Sequence, residues 1–288
     1  MSFLLAAIVL GLALCCMGWG IFLSLRIFNI PDITTDGSFT LGAALASVHL
    51  SSGGHWSGAM VLAFTGGALA GMLTGFIHTR LKVNALLSGI LVMTAAWSFN
   101  LSWMGRSNIP LMHSSNYFTL FGGGVSDTGL ALLALVPLLA LLFFFLWYLL
   151  RSDVGLALRA TGDAPLMAES MGVPINSMKI AGLSLANALT ALSGALVAQY
   201  QNFADISMGI GIVIFGLGAV MIGESLIALT RNTSLWLRLA GVVLGCLIFR
   251  GVIALSLATG LDPNWLKALT AAVVLVFVSL PSWKLKLA

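Results

Sequence analysis

The chain is predicted to be an all-α, polytopic membrane protein, and three observations lead there. Of its 288 residues, 59% are hydrophobic and only 8% are charged, where a soluble domain of ordinary composition has about 25% charged residues. Its mean hydropathy is +1.06. Gly, Pro and polar residues divide it into about eight or nine apolar stretches, each close to the roughly 20 residues that a bilayer-crossing helix takes. These stretches fill residues 1–288 as a single transmembrane domain, and no soluble domain fits in what remains.

The elements follow in order. The apolar run 3–26 starts without a basic leader or a small-residue cleavage site, which predicts a first membrane helix rather than a removed signal peptide. Next comes 28–39, FNIPDITTDGSF, which holds Pro31, Asp32, Asp36 and Gly37 and passes into a short span, 38–50. Irregular backbone at membrane depth survives only where protein or a wet cavity covers it, so a broken or re-entrant helix is expected here. Further spans are expected at 57–79, 84–103, 129–150, 178–199, 208–229, 239–258 and 265–281. Arg80 with Lys82, Arg151 with Arg159, Arg231 with Arg238 and Lys284 with Lys286 fall at alternate turns. All of these can therefore be cytoplasmic at once, which makes 151–177 the main internal loop and 104–128 the main external one, with Arg106 and Lys267 as exceptions outside. Small residues recur at helical spacing (Gly67, Gly71 and Gly75; Gly182, Ala186, Thr190 and Gly194; Gly241 and Gly245) and predict close helix packing within the bundle.

Composition and motifs exclude several function classes. The formal charge of +4 comes from 13 Lys and Arg scattered among helix ends, so it reports topology rather than a nucleic-acid partner. Cys15, Cys16 and Cys246 lie in apolar stretches and read as small hydrophobes. The chain has no G-x-x-x-x-G-K-[ST] phosphate loop, no H-E-x-x-H, no G-x-S-x-G and no Cys/His cluster. No catalytic residue, metal site or resident cofactor is expected. The dispersed histidines His49, His55, His78 and His113 read as interfacial.

The internal island 151–177 carries the functional signal. It predicts a short helix over 155–162, a turn at 162–165 with Asp163 as a helix cap, and a second helix over 165–171 ended by Gly172 and Pro174. Leu156, Leu158, Leu166, Met167 and Met171 are interleaved with Arg159, Asp163 and Glu169. Such a helix can set its apolar side into a groove of a soluble partner while its charges fix the register, or it can be an interfacial loop with no partner.

The run GLALRATGDAPLMAESMGVPINSMK followed by SLANALTALSGALVAQ resembles the cytoplasmic coupling loop and following helix of ATP-binding-cassette importer permeases of the branched-chain amino acid and ribose type. NIPDITTDGSFTLGAALA, LKVNALLSGILVMTAAWSFNLSWMGRSNIPL, GLGAVMIGESL and the segment from LGCLIFRGVIALSL to FVSLP are similar to the subgroup often labelled uncharacterised or tryptophan/tyrosine-type permeases, and together they cover most of the chain. The resemblance implies a second permease subunit forming a homodimer, two separate ATPase subunits that carry ATP and Mg, an external substrate-binding protein, commonly a lipoprotein, and the bacterial cytoplasmic membrane. Coupling to the ATPase is then expected at Arg159, Asp163, Leu166, Glu169 and Gly172. The solute class is expected to be an aromatic or other amino acid, although fold-level analogy does not transfer a substrate.

Ionisable and polar residues in apolar surroundings are the candidates for the translocation path: Thr35, Asp36, Asn84, Asn187, Glu224 and Arg250. A lone intramembrane charge needs a partner or water, and Arg250 is expected to pair with Glu224 or Asp36 or to meet a carboxylate-bearing solute. Asn84, Asn100 and Asn187 line a polar passage or bond between helices. In 104–128, Arg106, Asn116 and Tyr117 are expected to dock the binding protein, with aromatics supplying contact area. The alternative function is an ion-coupled secondary transporter using Glu224 or Asp36, which leaves the internal island without a role.

Overall fold

The computed structural model describes residues 2–112, 116–121, 128–229, 234–260, 262, 265, 266 and 268–276. Helix α1 (Ser2–Phe22) runs without interruption into one π-helical turn, Leu23–Ile27. Such turns interrupt the regular ladder and often sit at functional sites. Asn29 then takes a positive φ of 54°, and Pro31, which lacks an N–H, keeps the chain out of the helix until α2 (Thr34–Ser51) begins. The expected break is therefore real, and α2 starts earlier than the predicted 38. At 18 residues it is about 27 Å long.

Helices α3 (Trp56–Arg80) and α4 (Ala85–Met104) form a hairpin whose starts are capped by side chains: His55 accepts from the Ser57 N–H and Asn84 from the Leu86 N–H. Past α4, strand β1 (Asn108–Pro110) and the 3-10 turn Tyr117–Phe121 lead to α5 (Thr128–Arg151). The predicted helical pair is present as α6 (Asp153–Asp163) and α7 (Pro165–Ser170). Ser152 caps α6, and Pro165 sits in the first turn of α7, where its missing N–H costs nothing. Asp163 ends α6 without capping α7, contrary to expectation. Helix α8 (Ile175–Gln201) leads into strand β2 (Phe203–Asp205), and α9 (Ile212–Leu229) and α10 (Leu235–Ala258) follow. Strands β1 and β2 pair antiparallel, with Asn108 opposite Asp205.

Among the described residues, six helices are long and apolar enough to cross a bilayer: Leu5–Ile27, Trp56–Arg80, Ala85–Met104, Thr128–Arg151, Ile175–Gln201 and Leu235–Ala258, with Ile212–Ala228 shorter. They correspond to the expected spans apart from three: 38–50, which lies in α2 and is not among the six; 208–229, which begins later; and 265–281, of which 268–276 is helical and 277–281 lies outside the described residues. The protein is a multi-pass membrane protein.

Helix α8 is the centre of the bundle. Its stretch from Asn187 to Ala198 is buried throughout, and α1, α2 and α3 all pack on it. The glycines of α3 make the closest approach possible: a Cβ on Gly67 would meet the Asn187 carbonyl, and one on Gly71 the Leu183 carbonyl. The same device joins α10 to α9, with Gly241 against Gly223 and Gly245 against the Ala219 carbonyl. In lipid, where apolar surface gives no drive for helices to associate, this close contact is what holds them.

The two ends of the bundle differ. The side chain of Asn29 donates to the Gly162 carbonyl at 3.2 Å, so the C-terminal end of α1 lies on the α6–α7 face and Ser2 on the face of β1 and β2. Arg80 and Lys179 line a cavity together with Leu166 and Glu169 on the α6–α7 face, and Arg151 directly precedes α6. Arg231, Lys284 and Lys286 lie outside the described residues. Replacing Gly71 by Val is expected to cost about 1–3 kcal/mol through overpacking against α8. Gly251→Ala, where nothing lies within 4 Å, is expected to be neutral or stabilising by up to about 1 kcal/mol. Thermal unfolding of the detergent-solubilised protein measures both.

Candidate functional site

Two helices begin inside the bundle, and carboxylates meet both starts. Asp32 accepts from the Thr34 N–H at 2.8 Å and from Asn187 Nδ2 at 2.7 Å. Ser38 Oγ donates to Asn187 Oδ1 at 2.7 Å, and the Thr34 and Thr74 hydroxyls meet at 2.8 Å. All five side chains are buried, so α2, α3 and α8 are tied near the middle of α8. Asp36, one turn along α2, accepts from the Gly211 N–H at 3.0 Å and the Val213 N–H at 2.9 Å. It thereby satisfies the first N–H groups of α9 and sits at the positive end of that helix dipole.

On the other side of the bundle Glu224 of α9 is ion-paired with Arg26 of the π-helical turn and lies 3.4 Å from Arg238 of α10. The Arg238 guanidinium stands 5.5 Å from the centre of the Phe22 ring, a cation–π distance. Three helices are thus joined by two arginines and one glutamate, half-buried rather than dry. Arg26 was not among the expected site residues. It sits at the last turn of a long apolar run, where an arginine reads as a span boundary.

These facts correct several expectations. Arg250 pairs with neither Glu224 nor Asp36, because Glu224 is engaged by Arg26 and Arg238 and Asp36 by the α9 backbone. Both acids are thus engaged by protein groups in this structure. Thr35 is fully buried, its hydroxyl bonded to the Asp32 carbonyl, and faces no path. Asn84 is a helix cap at an exposed end, and Asn187 is an interhelical hub rather than a passage lining. Asn100 is fully buried, and among the described residues neither of its amide atoms has a hydrogen-bond partner.

The external segment is also revised. Arg106 is exposed, but Asn116 and Tyr117 are buried. Asn116 Nδ2 donates to Asn202 Oδ1 at 2.8 Å, the Tyr117 N–H donates to Gln199 Oε1 at 2.9 Å, and its hydroxyl donates to the Ala134 carbonyl at 2.9 Å. They peg the segment to α5 and α8 and offer no surface to a partner. His113 and 122–127 lie outside the described residues.

The α6–α7 pair exposes both apolar and acidic side chains. Leu166, Met167 and Met171 are 84%, 60% and 71% exposed, and Asp163, Glu169 and Gly172 are exposed beside them. Arg159 is instead half-buried, with its Nε enclosed. Next to the pair a cavity of about 440 Å³ opens between Arg80, Leu166, Glu169 and Lys179.

The sequence profile of the family described as branched-chain amino acid transport system permease component matches residues 3–279. A Clostridioides difficile protein named tyrosine transport system permease protein is 35% identical over 279 residues, covering 97% of this chain and 91% of that one. A Rickettsia prowazekii protein, uncharacterized protein RP368, is 30% identical over 285 residues and 99% of both chains. A ribose import permease protein of Escherichia coli is 24% identical over 193 residues, 66% of this chain and 58% of that one.

Glu224→Gln is expected to cost about 1–2 kcal/mol, between the 0–1 of an exposed pair and the 3–5 of a broken buried one. Combining it with Arg26→Gln should cost less than the sum, read as a double-mutant cycle in thermal unfolding. Asp36→Ala is expected to lower stability by about 0.5–2 kcal/mol as a lost helix cap, with Asp36→Asn milder because one acceptor remains.

Proposed function

The chain belongs to the family of branched-chain amino acid transport system permease components, and from that premise we propose that it is the membrane-spanning subunit of an ATP-binding-cassette importer that moves an amino acid, an aromatic one first among them. Two copies form a homodimer around a central path in the bacterial cytoplasmic membrane. Two separate ATPase subunits sit beneath them, and an external binding protein, a lipoprotein, delivers the solute. The name of the Clostridioides difficile relative, a tyrosine transport system permease protein, supports the solute class.

One observation carries the reading: the exposed apolar and acidic surface of α6 and α7. Leu166, Met167 and Met171 stand out of a membrane bundle on its basic face, which the excess of Lys and Arg marks as cytoplasmic. A surface of adaptable Met side chains and Leu166, beside the acids Asp163 and Glu169, fits a groove on a soluble partner. The chain itself carries no phosphate loop, so the energy has to enter through such a contact. In this mechanism ATP closes the ATPase dimer, the α6–α7 pair moves with it, and α8, continuous with α7 through 171–174, carries the displacement to Asn187 and, through Asp32, to the start of α2, whose Asp36 holds the start of α9. The path then changes the side to which it opens.

Leu166→Asp combined with Glu169→Lys is expected to abolish solute uptake by proteoliposomes carrying the assembled transporter, a loss of about tenfold or more, while ATP hydrolysis continues and the protein still inserts. Leu166 is almost wholly exposed, so folding is expected to survive. Normal uptake by this variant would remove the coupling assignment.

A further inference from the structure

On the face of β1 and β2 a cavity of about 380 Å³ opens among α1, α2, α8, α10 and the segment that leads into α9. Leu14, Phe39, Val197 and Ile212 make an apolar wall, and two opposite charges line the same space: Arg250 from α10 and Asp205 from the end of β2. Volume and make-up, an apolar wall with a few converging polar groups, are those of a small-molecule site, for which roughly 300–1,000 Å³ is usual.

Arg250 and Asp205 are not ion-paired with each other, and Asp205 has one oxygen left lightly engaged. Among the described residues Arg250 forms no ion pair, whereas Glu224 takes both Arg26 and Arg238. One oxygen of Asp205 receives the backbone N–H and the hydroxyl of Ser207, while the other has a single long contact of 3.4 Å from Asn108. The Ser207 bonds hold the Asp205 carboxyl below the usual aspartate range, so it is anionic at neutral pH. A guanidinium left alone among apolar helices is costly unless water or a ligand meets it.

Resting on the reading of the chain as an amino-acid permease, we propose that this cavity is an amino-acid relay site on the entry side of the bundle: Arg250 receives the solute's carboxylate, Asp205 its ammonium, and the wall of Leu14, Phe39, Val197 and Ile212 its apolar or aromatic side chain. Other chemistries fit worse. An inorganic anion would face Asp205, a simple cation would face Arg250, and a sugar would find an apolar wall where it needs hydrogen bonds. The planar fork of arginine matches a carboxylate in a way that a lysine does not.

The test uses proteoliposomes holding the assembled transporter with its binding protein. Uptake of each radiolabelled protein amino acid, L-tyrosine first, is measured together with labelling of a Gln201→Cys variant by a membrane-impermeant thiol reagent. Gln201 lines the cavity and is exposed, and the native cysteines are buried, so labelling reports on this site. L-Tyrosine is expected to slow labelling severalfold, whereas tyramine, lacking the carboxylate, and 3-(4-hydroxyphenyl)propanoate, lacking the ammonium, are not. Arg250→Gln is expected to abolish the protection and cut uptake about tenfold or more. Asp205→Asn, isosteric on a half-exposed strand, keeps the test open should Arg250→Gln fail to fold, and it is expected to let the propanoate protect as well as L-tyrosine does. Import of an amino acid without protection at Gln201→Cys, or unchanged uptake and protection in Asp205→Asn, overturns the relay site alone. If no amino acid is imported by the unmodified transporter, the amino-acid reading falls and takes the relay site with it.

Discussion

The constraint on which this bundle depends is that backbone N–H groups at the start of a helix must find acceptors even where no bulk water reaches. Helices α2 and α9 both begin inside the packed structure, and each start would leave donors bare in a low-dielectric interior. One short segment resolves both. Asp32 takes the Thr34 N–H, and Asp36 reaches across to Gly211 and Val213. A carboxylate accepts more strongly than any neutral group and complements the positive end of the helix dipole, so the acids that are costly in lipid are the ones the irregular backbone requires.

Because Asp32 also bonds Asn187, the break before α2 is registered against the centre of α8. Helix α8 in turn is held to α3 by glycines that bring backbone against backbone, and to α1 by Ser193 donating to the Ala13 carbonyl at 2.7 Å. Close-packed contacts of this kind have discrete alternatives rather than continuous compliance. On the coupling proposed above, a displacement arriving at the α7 end of α8 would reach the start of α2 as a shift of a rigid rod rather than being absorbed along the way.

Much of this was legible in the sequence, and the exceptions share a physical cause. Apolar length gave the long helices, and Pro31 with Asp32 gave the break, because a missing N–H and a charge are local facts. The paired helices α6 and α7 were legible from Gly172, Pro174 and the alternation of leucine with charge. The start of α9 was not: Met208 to Val213 is apolar enough to read as helix, and only the positive φ of Gly211 and the reach of Asp36 stop it. Asn116 and Tyr117 looked like surface residues because polar and aromatic side chains in a loop usually are. Gln199, some 80 positions away in sequence, buries them, and no local pattern encodes that. The partners of Glu224 were missed for the same reason, since Arg26 and Arg238 converge on it only through tertiary packing.

The interior charges separate into two kinds, and the separation bears on function. Asp32, Asp36 and Glu224 are each committed to a neighbouring helix, so their energies are part of the fold whether or not a solute is present. Arg250 has no such commitment among the described residues, although it stands on a helix packed tightly against α1 and α9. Replacing a paired interior charge leaves its partner bare and destabilises the folded state, whereas replacing an unpaired one removes a desolvation cost and should stabilise it. Arg250 thus adds a cost that the fold does not offset, and the space it borders lies on the face of β1 and β2, opposite α6 and α7.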